Sequence, residues 1–295
     1  MNQKMKILIA YDGSSHADAA IDDLRRAGLP REAEAVVVCV QQEAMAQEET
    51  QTLAHAASQR VLSYFPSWKV QTEVRSGAPA WELIRMADDW RADLLVVGSQ
   101  GRSALGRLLL GSVSQKVMTE ARCSVRVARA SISEPEAPAR VIICVDGSGY
   151  SDAAVDEMSR RVWPDGSVVK VISVVRLPFT PNEETRSLPD SYYSQLEKAE
   201  TGKAQTAITS AVAHLKQSGI TQPEIESEII LGDAREKILD EAARWEADLI
   251  VLGSRGLGGF KRFLLGSVAQ GVAAYAPCSV EIIRSGQTDG PGQKT

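Results

Sequence analysis

Short runs of valine, isoleucine and leucine alternate along this chain with longer stretches in which apolar residues return every three or four positions. In the first half, Lys6 to Ala10, Ala35 to Val40, Lys69 to Val74, Leu94 to Val97 and Val125 to Val127 have the length and composition of strands. Between them lie helical patterns such as Leu83, Ala87 and Trp90, which Ile238, Ala242 and Trp245 mirror in the second half. Strands that alternate with helices imply right-handed crossovers and a mostly parallel sheet covered on both faces, which is why several runs are continuously apolar. The expected fold class is therefore α/β. Ligands of such sheets collect beyond the carboxyl ends of the strands, where Asp12, Gln41 and Gly98 stand.

The pattern is written twice. KILIAYDGSSHADAA, from Lys6 to Ala20, answers RVIICVDGSGYSDAA, from Arg140 to Ala154, at a register of 134. ADLLVVGSQGRSALGRLLLGSVSQKV, from Ala92 to Val117, answers ADLIVLGSRGLGGFKRFLLGSVAQGV, from Ala247 to Val272, at a register of 155. The second copy thus carries about 21 more residues between Val174 and Gly232, and the stretch around Leu177 to Gln195 is the expected insertion. The expected domains are residues 1–131 and 140–284, joined by a linker, 132–139, in which Pro135 and Pro138 interrupt the apolar pattern. Residues 285–295 are polar and glycine-rich and read as a disordered tail.

Composition narrows the classes. With 44% hydrophobic and 24% charged residues, each half has enough apolar side chain for a core of its own. A formal charge of −5 spread over 295 residues offers no footprint for nucleic acid or an anionic membrane. No apolar stretch approaches the roughly 20 residues needed to span a bilayer. The apolar run near the N-terminus is too short for a signal-peptide core and flows into the first strand, so the expected location is cytoplasmic. Cys39, Cys123, Cys144 and Cys278 form no C-x-x-C pair or metal-site spacing, and Cys39 and Cys144 read as small hydrophobes within strands.

Candidate chemistry gathers in a repeated spacing: Gly98, Gly101, Gly111 and Ser112 form G-x-x-G, nine residues, then G-S, and Gly253, Gly256, Gly266 and Ser267 repeat it. A strand ending in glycine allows a sharp turn and the close approach of a ligand. The Gly-Ser pair then opens a helix with an apolar face of Val113, Val117 and Ala121, whose unpaired N–H groups and positive dipole end suit an anion such as phosphate. The same residues would also make a ligand-free turn and a helix capped by Ser112. Asp12 and Asp146 follow their strands and precede Gly-Ser; each can accept from a ribose hydroxyl or an adenine amine, or simply close a turn. There is no P-loop, and no G-x-G-x-x-G after either first strand.

At these residues the chain resembles the universal stress protein family in its tandem form, over almost all of both halves. The family's ATP-binding subgroup has a G-x-x-G, nine-residue, G-[ST] motif, which both copies match without gaps. The resemblance implies a Rossmann-like, adenine nucleotide alpha hydrolase-like fold: two tandem five-stranded, mostly parallel sheets flanked by helices and arranged as an intrachain pseudo-dimer, with Val125 to Val127 beside Val280 to Ile282. It implies ATP, AMP or ADP as ligand, with Mg²⁺ able to accompany the triphosphate. Gly98, Gly101, Gly111 and Ser112, and Gly253, Gly256, Gly266 and Ser267, would contact ribose and phosphates. Asp12 and Asp146 would contact the adenosine, and Val40 and Val174 would bracket adenine, although strand-end valines also serve simply as core. Dimerisation of the whole chain is common among tandem members, but no residue here demands it.

His16, His55 and His214 belong to no repeated motif, so no catalytic triad is expected, and ATP hydrolysis would be at most slow and incidental. Arg102, Arg107, Arg255, Lys261 and Arg262 lie in the nine-residue loops or beside them and are either phosphate contacts or solvated charges. Tyr192 and Tyr193 could stack on a base or be ordinary loop tyrosines. Two functions remain open: a stress-response sensor or regulator whose nucleotide occupancy changes its contacts with an unnamed protein partner, or a nucleotide-independent, chaperone-like adaptor with one or both pockets empty.

Overall fold

The computed structural model describes residues 4–41, 46–101, 110–129, 137–177, 190–217 (side chains from 194), 224–257 and 265–284. In the first half β1 (Met5–Ala10), β2 (Ala33–Gln41), β3 (Lys69–Ser76), β4 (Leu94–Gly98) and β5 (Ser124–Ala128) alternate with α1 (Ser15–Asp23), α2 (Gln47–Tyr64), α3 (Pro79–Trp90) and α4 (Ser112–Glu120). In the second half β6 (Arg140–Cys144), β7 (Val168–Val175), β8 (Glu224–Leu231), β9 (Leu249–Gly253) and β10 (Ser279–Ile283) alternate with α5 (Gly149–Ser159), α6 (Asp190–Gln217), α7 (Ala234–Arg244) and α8 (Ser267–Tyr275). The expected first-half strands lie within one or two residues of these bounds.

The two five-stranded sheets do not stand apart. They merge into one ten-stranded sheet in the order β3-β2-β1-β4-β5-β10-β9-β6-β7-β8. Every neighbouring pair is parallel except β5 and β10, which run antiparallel with Val127 opposite Val280, Arg126 opposite Glu281 and Val125 opposite Ile282. The intrachain pseudo-dimer expected from the resemblance is thus a shared seam that removes two open strand edges.

Alternate strand residues feed opposite faces. Leu8, Val38, Val97, Ile142, Ile172 and Leu252 join α3, α4, α7 and α8 in one apolar cluster that runs through both halves. On the other face the core divides: Ile7, Ile9 and Val37 pack beneath α1 and α2, and Val141, Ile143 and Val171 beneath α5 and α6. Arg129 and Arg284, the same position of the repeat, bind the halves reciprocally. Arg129 donates to the carbonyls of Ala274 and Ala276 at the end of α8, and Arg284 to those of Met118 and Thr119 at the end of α4. The second copy's extra length is expressed in part as helix, α6 having 28 residues against 18 in α2. Most of the insertion, the side chains of Tyr192 and Tyr193, most of the linker and the tail lie outside the described residues.

Candidate functional site

The corner after the first strand of each half has one geometry, set by three residues. Gly13 and Gly147 take φ of 76° and 79°, which favours glycine. Asp12 Oδ1 accepts from the Ser14 N–H at 3.0 Å and Asp146 Oδ1 from the Ser148 N–H at 3.0 Å. The serines then cap their helices, Ser14 Oγ accepting from the Ala17 N–H and Ser148 Oγ from the Ser151 N–H, both at 3.2 Å. The turn role of the aspartates is therefore realised in both copies. Asp146 Oδ2 also accepts from the Leu257 N–H at 3.0 Å, tying this corner to the loop after β9.

The motif glycines have separate reasons. A Cβ on Gly98 would sit 2.7 Å from the backbone oxygen of His16, and one on Gly253 2.5 Å from that of Tyr150. The strand-end glycines thus admit the first turn of α1 or α5, a packing role that the spacing did not reveal. Gly101 and Gly256 make room for the aspartates, since a Cβ would lie 2.9 Å from Asp12 Oδ2 and 2.5 Å from Asp146 Oδ2. Gly111 and Gly266 close the nine-residue loop by donating to the carbonyls of Ser99 and Ser254 at 2.8 and 2.9 Å. They also occupy the N-cap place of α4 and α8, with no side chain to cap the helix. Ser112 and Ser267 are the first helical residues, exposed, and not the caps that sequence allowed them to be. Two helix N-termini therefore present backbone N–H groups without a side-chain cap.

In the second half the parts meet. Asp146, Val174, Gly253, Gly256, Gly266 and Ser267 all line one cleft of about 490 Å³, within the roughly 300–1,000 Å³ of small-molecule sites. Ile172, Ile238, Leu252 and Leu265 supply an apolar wall. Arg255 also lines it, its guanidinium donating to the Tyr150 hydroxyl at 3.2 Å and lying 5.6 Å from that ring's centre. Cys144 borders the cleft, and burial pushes its thiol up, which favours the protonated form. In the first half Val40 is partly buried against the core at the place of Val174. Arg102, Arg107, Lys261 and Arg262 lie outside the described residues. Sequence reading missed Tyr150 as the partner of Arg255 and Cys144 as a wall of the cleft; the signal was their repeat positions, held by His16 and Ala10 in the first copy.

Ser159, His214 and Asp156 come together but do not form a relay. His214 Nε2 lies 3.4 Å from both Ser159 Oγ and Asp156 Oδ1, and the serine hydroxyl donates to the Asp156 carbonyl. A relay needs the acid on the other ring nitrogen. Among the described residues, no three or more His, Cys, Asp or Glu side chains are grouped to hold a metal, and no helix is long and apolar enough to cross a membrane.

Fold and corners together define a tandem, doubly wound α/β protein whose two units join edge to edge through their last strands, the second with a ligand-sized cleft at its strand ends. A model of the universal stress protein family matches residues 4–129 and again 139–284. The chain belongs to the universal stress protein family. A universal stress protein of Mycolicibacterium smegmatis is 31% identical over 228 residues, covering 73% of this chain and 69% of that one. One from Mycobacterium tuberculosis is 30% identical over 234 residues, covering 74% and 70%. The crystal structure of a universal stress protein from Archaeoglobus fulgidus covers 96% of this chain and 100% of its own at a TM-score of 0.67 and 21% identity, a likeness of fold.

Proposed function

We propose that this universal stress protein binds an adenine nucleotide, ATP or its lower phosphates, in each half, and that occupancy changes its contacts with a protein partner. One observation carries the reading: the six second-half residues singled out by spacing and resemblance line the same cleft. Its apolar wall, with Val174, suits a base. The N–H groups that open α8 and the exposed Ser267 hydroxyl suit phosphate oxygens. Asp146 retains acceptor capacity for a ribose hydroxyl beyond its two backbone bonds. The first half repeats the corner, turn and bare helix start. Mg²⁺ would enter with the triphosphate. The protein's part is binding and orientation, and hydrolysis is at most slow.

The test is mass analysis of ligand released from freshly purified protein on denaturation. Up to two adenine nucleotides per chain are expected, and Gly111→Val and Gly266→Val should each remove one. Wild-type protein that releases none, and whose melting does not respond to excess ATP, would replace this reading with the nucleotide-independent adaptor.

A further inference from the structure

The pseudo-two-fold axis relating the halves passes between Arg126 and Glu281. They are register partners across the β5–β10 seam and also the same position of the repeat. Around them runs a row of alternating charge. Arg126 Nε donates to Asp23 Oδ2 at 2.6 Å and Arg126 Nη1 to Glu281 Oε2 at 2.9 Å; Arg161 Nη2 donates to Glu281 Oε1 at 2.5 Å and Arg161 Nε to Glu157 Oε1 at 3.1 Å. The side chains of Asp23, Arg126, Glu281 and Arg161 are at most 4% exposed. Ala27 and Arg161 are likewise repeat counterparts that meet at the seam, Arg161 Nη1 donating to the Ala27 carbonyl at 3.1 Å.

Symmetry turns these contacts into a rule. Two first halves paired through their last strands would set Arg126 against a second Arg126. Two second halves would set Glu281 against Glu281. Each charge would keep the partner from its own half, Asp23 for Arg126 and Arg161 for Glu281. Two like charges would nonetheless be buried in contact where water cannot screen them, whereas first against second places opposite charges in contact. We propose that the row is a pairing code: the last-strand edge of each half accepts only the other kind of half, within one chain or by reciprocal exchange with a second copy of this chain. Within one chain the tether supplies a high effective concentration, so self-closure is the resting state.

The test uses full-length Arg126→Glu and Glu281→Arg variants. Each alone puts like charges at the seam and should lower the melting temperature by roughly 10 °C or prevent folding. Refolded together at equal amounts, they can exchange halves so that one seam regains the native arginine and glutamate and the other carries them reversed. The expected product is a mixed dimer of twice the chain mass, seen by light scattering with one variant tagged, that melts above either variant alone. A single reversal as stable as the wild type, or a mixture with neither mixed dimer nor recovered melting, overturns the proposal. The Asp23→Asn, Arg126→Met, Glu281→Met triple variant separates selection from plain stabilisation, because it leaves no buried carboxylate without a counter-charge: the amide oxygen at position 23 still accepts from the Ser279 hydroxyl, and Arg161 keeps Glu157. It should melt within a few degrees of the wild type, and a loss as large as that of the charge reversals would also overturn the code.

Discussion

The turns after β1 and β6 have matching dimensions: φ of 76° and 79° at the glycine, 3.0 Å from aspartate to the second N–H beyond it, and 3.2 Å from the capping serine to its helix. At the seam, by contrast, the same repeat position holds arginine in one half and glutamate in the other. The corners are alike because each must turn a strand into a capped helix in the same space. The seam differs, and the difference sets an arginine against a glutamate where two identical halves would set like charges together.

The largest effect that would break this comparison is at the seam. Glu281→Ala leaves Arg126 and Arg161 buried without their shared acceptor and should cost about 3–5 kcal/mol by denaturant unfolding. Acid should reach the same point in the wild type. Burial alone would raise the Glu281 carboxyl, but Arg161 and Arg126 outweigh it and hold it below its ordinary value. Its stabilisation is therefore fully present above the unfolded value of about 4.3 and is lost as pH falls through the lower folded value. Melting curves taken from neutral to acid pH should fall in that window, and less steeply in the Asp23→Asn, Arg126→Met, Glu281→Met variant.

Next come the strand-end glycines. Gly98→Ala and Gly253→Ala should each cost about 1–3 kcal/mol by driving a Cβ into the first turn of α1 or α5. Gly266→Ala, whose Cβ would meet its nearest neighbours at 3.4 Å, should change stability by about 0.5 kcal/mol or less while weakening ATP binding. Equal losses at Gly253 and Gly266 would erase the division between packing and ligand-facing glycines. Ser14→Ala and Ser148→Ala should cost about 1 kcal/mol each and add in the double variant. One further substitution probes a difference between the halves. Ser114 Oγ donates to the Gly98 carbonyl at 2.6 Å, and the second copy has Ala269 in that place, so Ser114→Ala should cost about 0.5–1.5 kcal/mol.

Much of the fold was legible because strands buried on both faces are continuously apolar, as Leu94 to Val97 is, and because the repeat let each copy check the other. Strand ends were less so: β2 starts at Ala33 and not Ala35, its first residues being a polar-apolar mixture. The seam row was hidden, since Val-Arg-Val and Val-Glu-Ile each read as a strand carrying one odd charge; only the overlay of position 126 on 281 pairs their signs. The roles of Gly98 and Gly253 depend on His16 and Tyr150, some 80 to 100 residues away in sequence, and spacing alone cannot separate a glycine that packs from one that faces a ligand. Whether Gly111 or Ser112 holds the N-cap was not legible, because Gly-Ser before an apolar stripe looks the same either way.

The central claim, that each half cradles a phosphorylated adenosine between its strand ends and a bare helix start, is met most directly by native mass spectrometry of the full chain in excess ATP. Two bound nucleotides in the wild type and one in Gly266→Val are the predicted result. A wild-type chain that stays at its bare mass throughout the titration would contradict it.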